Sequence, residues 1–186
     1  MIHYFTPYSL DAHLFDAYEK YADLVKDPEA WLCFLDGDSC FLTPKWGHVL
    51  EGYIKTHPDM GMFTSYVSRA AYTSAIPRQG DRENPDIGFH RKVAMLLLKK
   101  HGEKFSIKPY NRNVSGHLML IKVKTWLEIR EDVAQRVSRT KKRILGVDTQ
   151  ISKAILAKGL KIGLMRAVYC LHYFRFLEKG SKKHLL

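Results

Sequence analysis

The chain has no stretch approaching the roughly 20 consecutive apolar residues that a membrane-spanning helix needs. Its start, Met1-Ile-His-Tyr-Phe-Thr-Pro7, also lacks a basic segment running into an apolar one, so the expectation is a soluble, cytoplasmic protein. Cysteine is scarce. Cys33, Cys40 and Cys170 are odd in number and two of them sit in apolar runs, which argues against a disulfide framework and for reduced thiols that behave as small hydrophobes. A zinc site built from these three and His172 is conceivable, but the gap of six residues between the first two is not a usual knuckle spacing. No zinc-finger spacing, ribonucleoprotein aromatic signature or helix-turn-helix pattern marks the chain as a nucleic-acid module. No Gly-rich phosphate loop follows the first apolar run, as a nucleotidyltransferase would usually show.

Acidic residues are few beyond the first third. The net charge of +11 divides into −6 over residues 1 to 60, with four Lys/Arg against ten Asp/Glu, and +17 over the rest, with 26 against nine. Such asymmetry implies an anionic partner for the later part: a nucleotide diphosphate, an acidic acceptor, nucleic acid or a membrane surface. Lys141, Lys142, Lys182 and Lys183 read more simply as solubilising surface charge.

At 186 residues, nearly half of them apolar, one hydrophobic core suffices, and a single domain over 1–186 is expected, with a basic tail at 178–186. Ile2 to Phe5 reads as a strand closed by Thr6-Pro7-Tyr8-Ser9. Leu14, Tyr18, Tyr21 and Val25 recur at helical spacing, and Trp31 to Leu35 is a continuous apolar run whose length favours a buried strand. Trp46, Val49, Leu50, Tyr53 and Ile54 mark a second helix that stops at His57-Pro58, and Gly61 to Tyr66 a further strand. Residues 68–88 have no sustained period and read as a mobile loop, a lid or acceptor-facing flap carrying Arg69, Arg78 and Arg82. A helix ends near His101-Gly102, and Ser115 to Val123 reads as a strand. Asp132 to Arg143 is polar and basic and offers little to a core. Val147 to Lys158 is helical with Gly159 as C-cap, and Lys161 to Tyr169 supplies a last strand. The alternation predicts an α/β sandwich on a largely parallel sheet, with ligands outside the carboxyl ends of its strands.

The chemistry concentrates after the buried apolar run, where Asp36-Gly37-Asp38 places two carboxylates at a strand end. In an extended chain alternate residues point the same way, so both acids can face one site. Two close carboxylates repel, and a hard divalent cation, Mg²⁺ or Mn²⁺, is the natural neutraliser. Asp-Gly is also a common turn, so the triplet gains meaning from its company.

Trp31-Leu-Cys-Phe-Leu-Asp-Gly-Asp-Ser-Cys-Phe-Leu-Thr-Pro44 resembles the Asp-x-Asp segment of GT-A-fold nucleotide-sugar glycosyltransferases, in particular the inverting family related to bacterial glycan synthases. Gly146-Val-Asp148 through Gly159 is similar to that family's acidic segment, and His172 in Tyr169-Cys-Leu-His-Tyr-Phe-Arg175 to its late metal-binding histidine. The resemblance implies a GT-A, Rossmann-like fold with a mixed, mostly parallel sheet flanked by helices. It implies a metal site at Asp36, Asp38 and His172, with Asp36 also reaching the ribose and Asp148 as the base that deprotonates an acceptor hydroxyl. Thr6, Pro7 and Tyr8 would meet the nucleotide, Ser115 and Gly116 would line the donor-sugar pocket, and Arg175 would pair with the diphosphate. The implied substrates are a UDP- or GDP-linked sugar and a glycan or other hydroxyl acceptor. A nucleic-acid-binding protein, or a glycosyltransferase that modifies a DNA base, is the alternative that the basic surface suggests.

Overall fold

The structure, a computed structural model, describes residues 1–10, 13–70, 75–139 and 146–173. In chain order the elements are β1 (Ile2–Phe5), α1 (Leu14–Ala22), β2 (Trp31–Phe34), β3 (Ser39–Phe41), α2 (Trp46–Thr56) and β4 (Met62–Val67). There follow α3 (Ile87–His101), β5 (Ile107–Pro109), β6 (Met119–Lys122), α4 (Val123–Arg139), α5 (Val147–Ala157) and β7 (Ile162–His172).

The unbroken apolar run of β2 is explained by burial on both faces. Leu32 and Phe34 face a core completed by Phe15 and Tyr18 of α1, Trp126, Ile129 and Val133 of α4, and Ile151 and Ile155 of α5. Trp31 and Cys33 face the other way, toward Leu50 and Tyr53 of α2 and Phe63 of β4. Helix α3 packs Val93, Ala94 and Leu97 against Tyr169 of β7.

The strand order is β1-β2-β6-β4-β7-β3, with β5 on β7. The α/β class expected from the alternation is observed, but the mostly parallel sheet is not. Among the described residues only β1·β2 and β4·β7 pair in parallel, while β2·β6, β4·β6, β3·β7 and β5·β7 are antiparallel. Strands β1, β2, β4 and β7 therefore point one way and β3, β5 and β6 the other. Strand β6 lies between β2 and β4 and reverses the local direction twice.

Two sequence expectations about local structure are corrected. Asp132 to Arg139 is not idle surface: it continues α4, where Val133 is buried and Ala134 and Val137 pack on the core. The spacing Trp126, Ile129, Val133, Val137 is helical, and the many charges between these positions concealed it. The strand expected from Ser115 begins only at Met119, leaving a turn at 116–117. The end of α5 follows expectation closely. Gly159 takes φ +73° one residue past the C-cap, its N–H donates to Leu156 O at 3.0 Å, and Leu160 N donates to Ile155 O at 3.1 Å, a Schellman closure.

Candidate metal centre

Three side chains from the two ends of the sequence meet at the carboxyl ends of β2 and β7. One ligand atom each from Asp36, Asp38 and His172 lies within 4.8 Å of the others. His172 Nε2 is 3.1 Å from Asp38 Oδ1 and 3.5 Å from Asp36 Oδ2.

The acids converge for a different reason from strand alternation. They sit in a turn between β2 and β3, closed by Ser39 N donating to Asp36 O at 3.0 Å. The three-residue strand β3 then pairs with the end of β7 in the register Ser39↔His172, and Tyr173 N donates to Asp38 O at 3.1 Å. That short ladder is what sets the imidazole beside the turn. Gly37 is not required for it: its φ is not positive, and a Cβ there would meet only Thr6 Cγ2 at an ordinary 3.5 Å.

Second contacts fix the histidine. Its Nδ1 donates to Arg69 O at 2.9 Å, which leaves the Nε2 lone pair facing the carboxylates when the ring is neutral. Ser68 Oγ accepts from His172 N at 2.9 Å and donates to His172 O at 3.3 Å. The first residues of the expected 68–88 flap therefore brace the site. At its far end, His90 Nε2 donates to Asn84 O at 2.8 Å and His90 Nδ1 accepts from the Tyr169 hydroxyl at 2.7 Å. Residues 71–74 lie outside the described residues.

The antiparallel placement of β6 brings its preceding turn to the same point. Phe34 pairs with Met119, so Gly116 comes to rest against Asp36, where a Cβ would stand only 2.7 Å from Asp36 Oδ1. Gly116 N in turn donates to Asp148 Oδ2 at 2.9 Å, while Asp148 Oδ1 accepts from Thr149 N at 2.7 Å. Asp148 lies in the first turn of α5, and the N-cap position itself belongs to Gly146. Its carboxylate thus ties α5 to the glycine that cradles Asp36.

The electrostatics are those of a site short of positive charge. Burial pushes the Asp36 carboxyl up to about 6; His172 opposes the shift, and Asp38 and Asp148 add to it. Burial also raises Asp148, against its backbone hydrogen bonds. For Asp38 burial is outweighed by the hydrogen bond and charge of His172, and the carboxyl is lowered. His172 is raised: burial works against its charge, and the bond to Asp38 prevails. Two carboxylate oxygens and one imidazole nitrogen form a donor set that fits Mn²⁺ or Mg²⁺, the nitrogen tilting the choice toward Mn²⁺. The cysteine alternative does not assemble. Cys33 and Cys170 are buried, Cys170 accepts from Ser65 Oγ at 3.4 Å, and Asp36, Asp38 and His172 are the cluster of ligand atoms found among the described residues.

The remaining expected residues are placed less closely. Thr6 lies beside the Asp36-Gly37 turn, its Cγ2 3.5 Å from where a Cβ on Gly37 would stand, whereas Tyr8 is 72% exposed and lines a surface groove with Leu10, Tyr21 and Leu24. Pro7 lies in the loop after β1 and Ser115 immediately before the turn at 116–117, and Arg175 and the 178–186 tail lie outside the described residues. His117 joins the site without belonging to any of the motif segments. It is fully buried, its Nε2 donates to Ser65 O at 3.2 Å, and its ring centroid lies 6.1 Å from that of His172. Burial and the neighbouring His172 lower its pKa to about 3, so the ring is neutral, and Nδ1 has no hydrogen-bond partner among the described residues. A histidine opening the apolar run His117-Leu-Met-Leu-Ile121 was the available signal. No protein-family model and no curated protein matches the chain.

Proposed function

We propose that the chain is a metal-dependent glycosyltransferase that moves a sugar from a nucleotide-diphosphate donor to an acceptor hydroxyl with inversion at the anomeric carbon. The observation that carries this reading is the convergence of Asp36, Asp38 and His172, with Asp148 tied to the same place through Gly116. The resemblance of the three sequence segments to GT-A enzymes supplies the reaction class, and the geometry is compatible with it.

Asp36, Asp38 and the neutral Nε2 of His172 would hold a divalent cation, which supplies charge neutralisation for the departing diphosphate. Asp148 would take the proton of the acceptor hydroxyl as its oxygen bonds to the anomeric carbon and the bond from that carbon to the diphosphate oxygen breaks. Burial suits it to that role, because a carboxyl raised above its ordinary range is a stronger base when ionised. Its bonds from Gly116 N and Thr149 N fix the carboxylate while leaving lone pairs for a substrate proton. Gly116, lacking a side chain, would leave the Asp36 carboxylate its place beside the donor sugar.

The test is a thermal-shift screen of nucleoside diphosphates with and without Mn²⁺, since a ligand that binds only the folded state raises its melting temperature according to its affinity. The reading expects at least one diphosphate to stabilise the protein only when Mn²⁺ is present. Stabilisation of equal size without metal, or none by any diphosphate, would refute it.

A further inference from the structure

We propose that the outer face of α3 attaches the protein to an anionic lipid surface. Fifteen residues long, this helix has no Asp or Glu and carries Arg91, Lys92, Lys99 and Lys100. All four cations are exposed, while the opposite face packs Val93, Ala94 and Leu97 into the protein. Between them in sequence, and on the same outward arc, lie Met95 and Leu96, 43% and 58% exposed.

Neither half of this pattern has a bland explanation that covers the other. Lys99 and Lys100 suit the negative end of the helix dipole, but Arg91 and Lys92 stand in its first half, where that dipole gives them nothing. Solvated basic faces are common, but they do not need a large apolar pair at their centre. Cations flanking Met and Leu on one arc match the interface of an anionic bilayer, where the charges meet headgroups and the apolar side chains enter the acyl boundary. A nucleic-acid chain would use the charges yet find no exposed aromatic on this face for its bases. Asp81, Glu83 and Asp86 precede the helix, so the positive density lies from Arg91 onward.

The face shares no residue with the metal centre, so its test is independent of the reaction assigned there. The full chain is sedimented with phosphatidylcholine vesicles, with and without phosphatidylglycerol, over a range of salt. Binding should require the anionic lipid and weaken as salt shortens the Debye length. A variant with Arg91→Gln, Lys92→Gln, Lys99→Gln and Lys100→Gln should bind on the order of several hundredfold more weakly, as each Lys or Arg at such a surface contributes roughly fivefold. Met95→Gln with Leu96→Gln should weaken binding severalfold and leave its salt dependence in place. All six positions are exposed, so circular dichroism should show both variants folded. No binding, equal binding to uncharged vesicles, or full binding by the four-glutamine variant overturns the proposal. Tighter binding of a DNA duplex, lost in that same variant, would overturn it in favour of nucleic acid.

Discussion

Gly116→Ala should damage the metal centre and spare the fold. The new Cβ would stand 2.7 Å from Asp36 Oδ1, 3.1 Å from Oδ2 and 3.2 Å from Cγ, whereas ordinary contact begins at 3.4 Å. The carboxylate must therefore retreat by roughly 0.7 Å, the difference between 3.4 and 2.7 Å, several times the ~0.2 Å tolerance of a metal–ligand distance. Because it is the end of a rotatable side chain, it can do so without moving backbone. Gly116 is not among the glycines with positive φ, so alanine fits its conformation and stability should change by no more than about 1 kcal/mol. Displacing one ligand by this amount should weaken Mn²⁺ binding by about 10- to 100-fold, the range seen when a metal site loses its supporting contacts. Gly37→Ala is the control, since its Cβ makes only a 3.5 Å contact with Thr6 and should leave Mn²⁺ affinity unchanged. Isothermal titration of Mn²⁺ into the three proteins, with thermal melts alongside, measures both effects. A stably folded Gly116→Ala protein that titrates like the parent would show that Asp36 is not a ligand.

Metal affinity should rise with pH. Asp36 titrates at about 6 and His172 above its ordinary 6.5, and both must lose a proton to bind a cation. Mn²⁺ affinity should thus climb as pH passes 6 and level off once His172 is neutral, and a flat profile across that window would contradict the assignment. In the metal-free protein the raised Asp36 binds more protons folded than unfolded, so its contribution to stability falls as pH rises from the ordinary carboxyl value of 3.8 to about 6. Melts at several pH values should show Mn²⁺ restoring that loss. For Asp148→Asn, sugar transfer should fall at least about 100-fold while donor affinity changes little. One of its two backbone hydrogen bonds is lost with the second oxygen, a cost of about 1 kcal/mol. Near-normal transfer by the folded variant would leave Asp148 as a tether between α5 and Gly116, and product that retains the donor's anomeric configuration would exclude single displacement.

Elements held together by local periodicity were legible in the sequence. The helical spacing of Trp46 to Ile54, the apolar run Trp31 to Leu35 and Gly159 after the last helix each correspond to an observed element or cap. Sheet direction was not legible, because whether β6 enters between β2 and β4 depends on pairings far apart in the chain. Strands β3 and β5, three residues each, are too short to show a period, and β5 ends on a proline. This matters for the site. The identities of Asp36, Asp38 and His172 could be read from their segments, but the β3·β7 register that joins them could not. The hydrogen bond from Gly116 to Asp148, and the buried His117 behind His172, likewise emerge only when turn, helix and strand are folded together.

Calorimetric titration of a nucleoside diphosphate into the parent protein and Asp38→Ala, each with and without saturating Mn²⁺, reaches the central claim most directly. Asp38 is half-exposed and belongs to a turn held by backbone bonds, so its truncation should leave the fold intact. The account predicts binding to the parent only with Mn²⁺ and essentially none to Asp38→Ala under either condition; undiminished Mn²⁺-dependent binding by Asp38→Ala would contradict it.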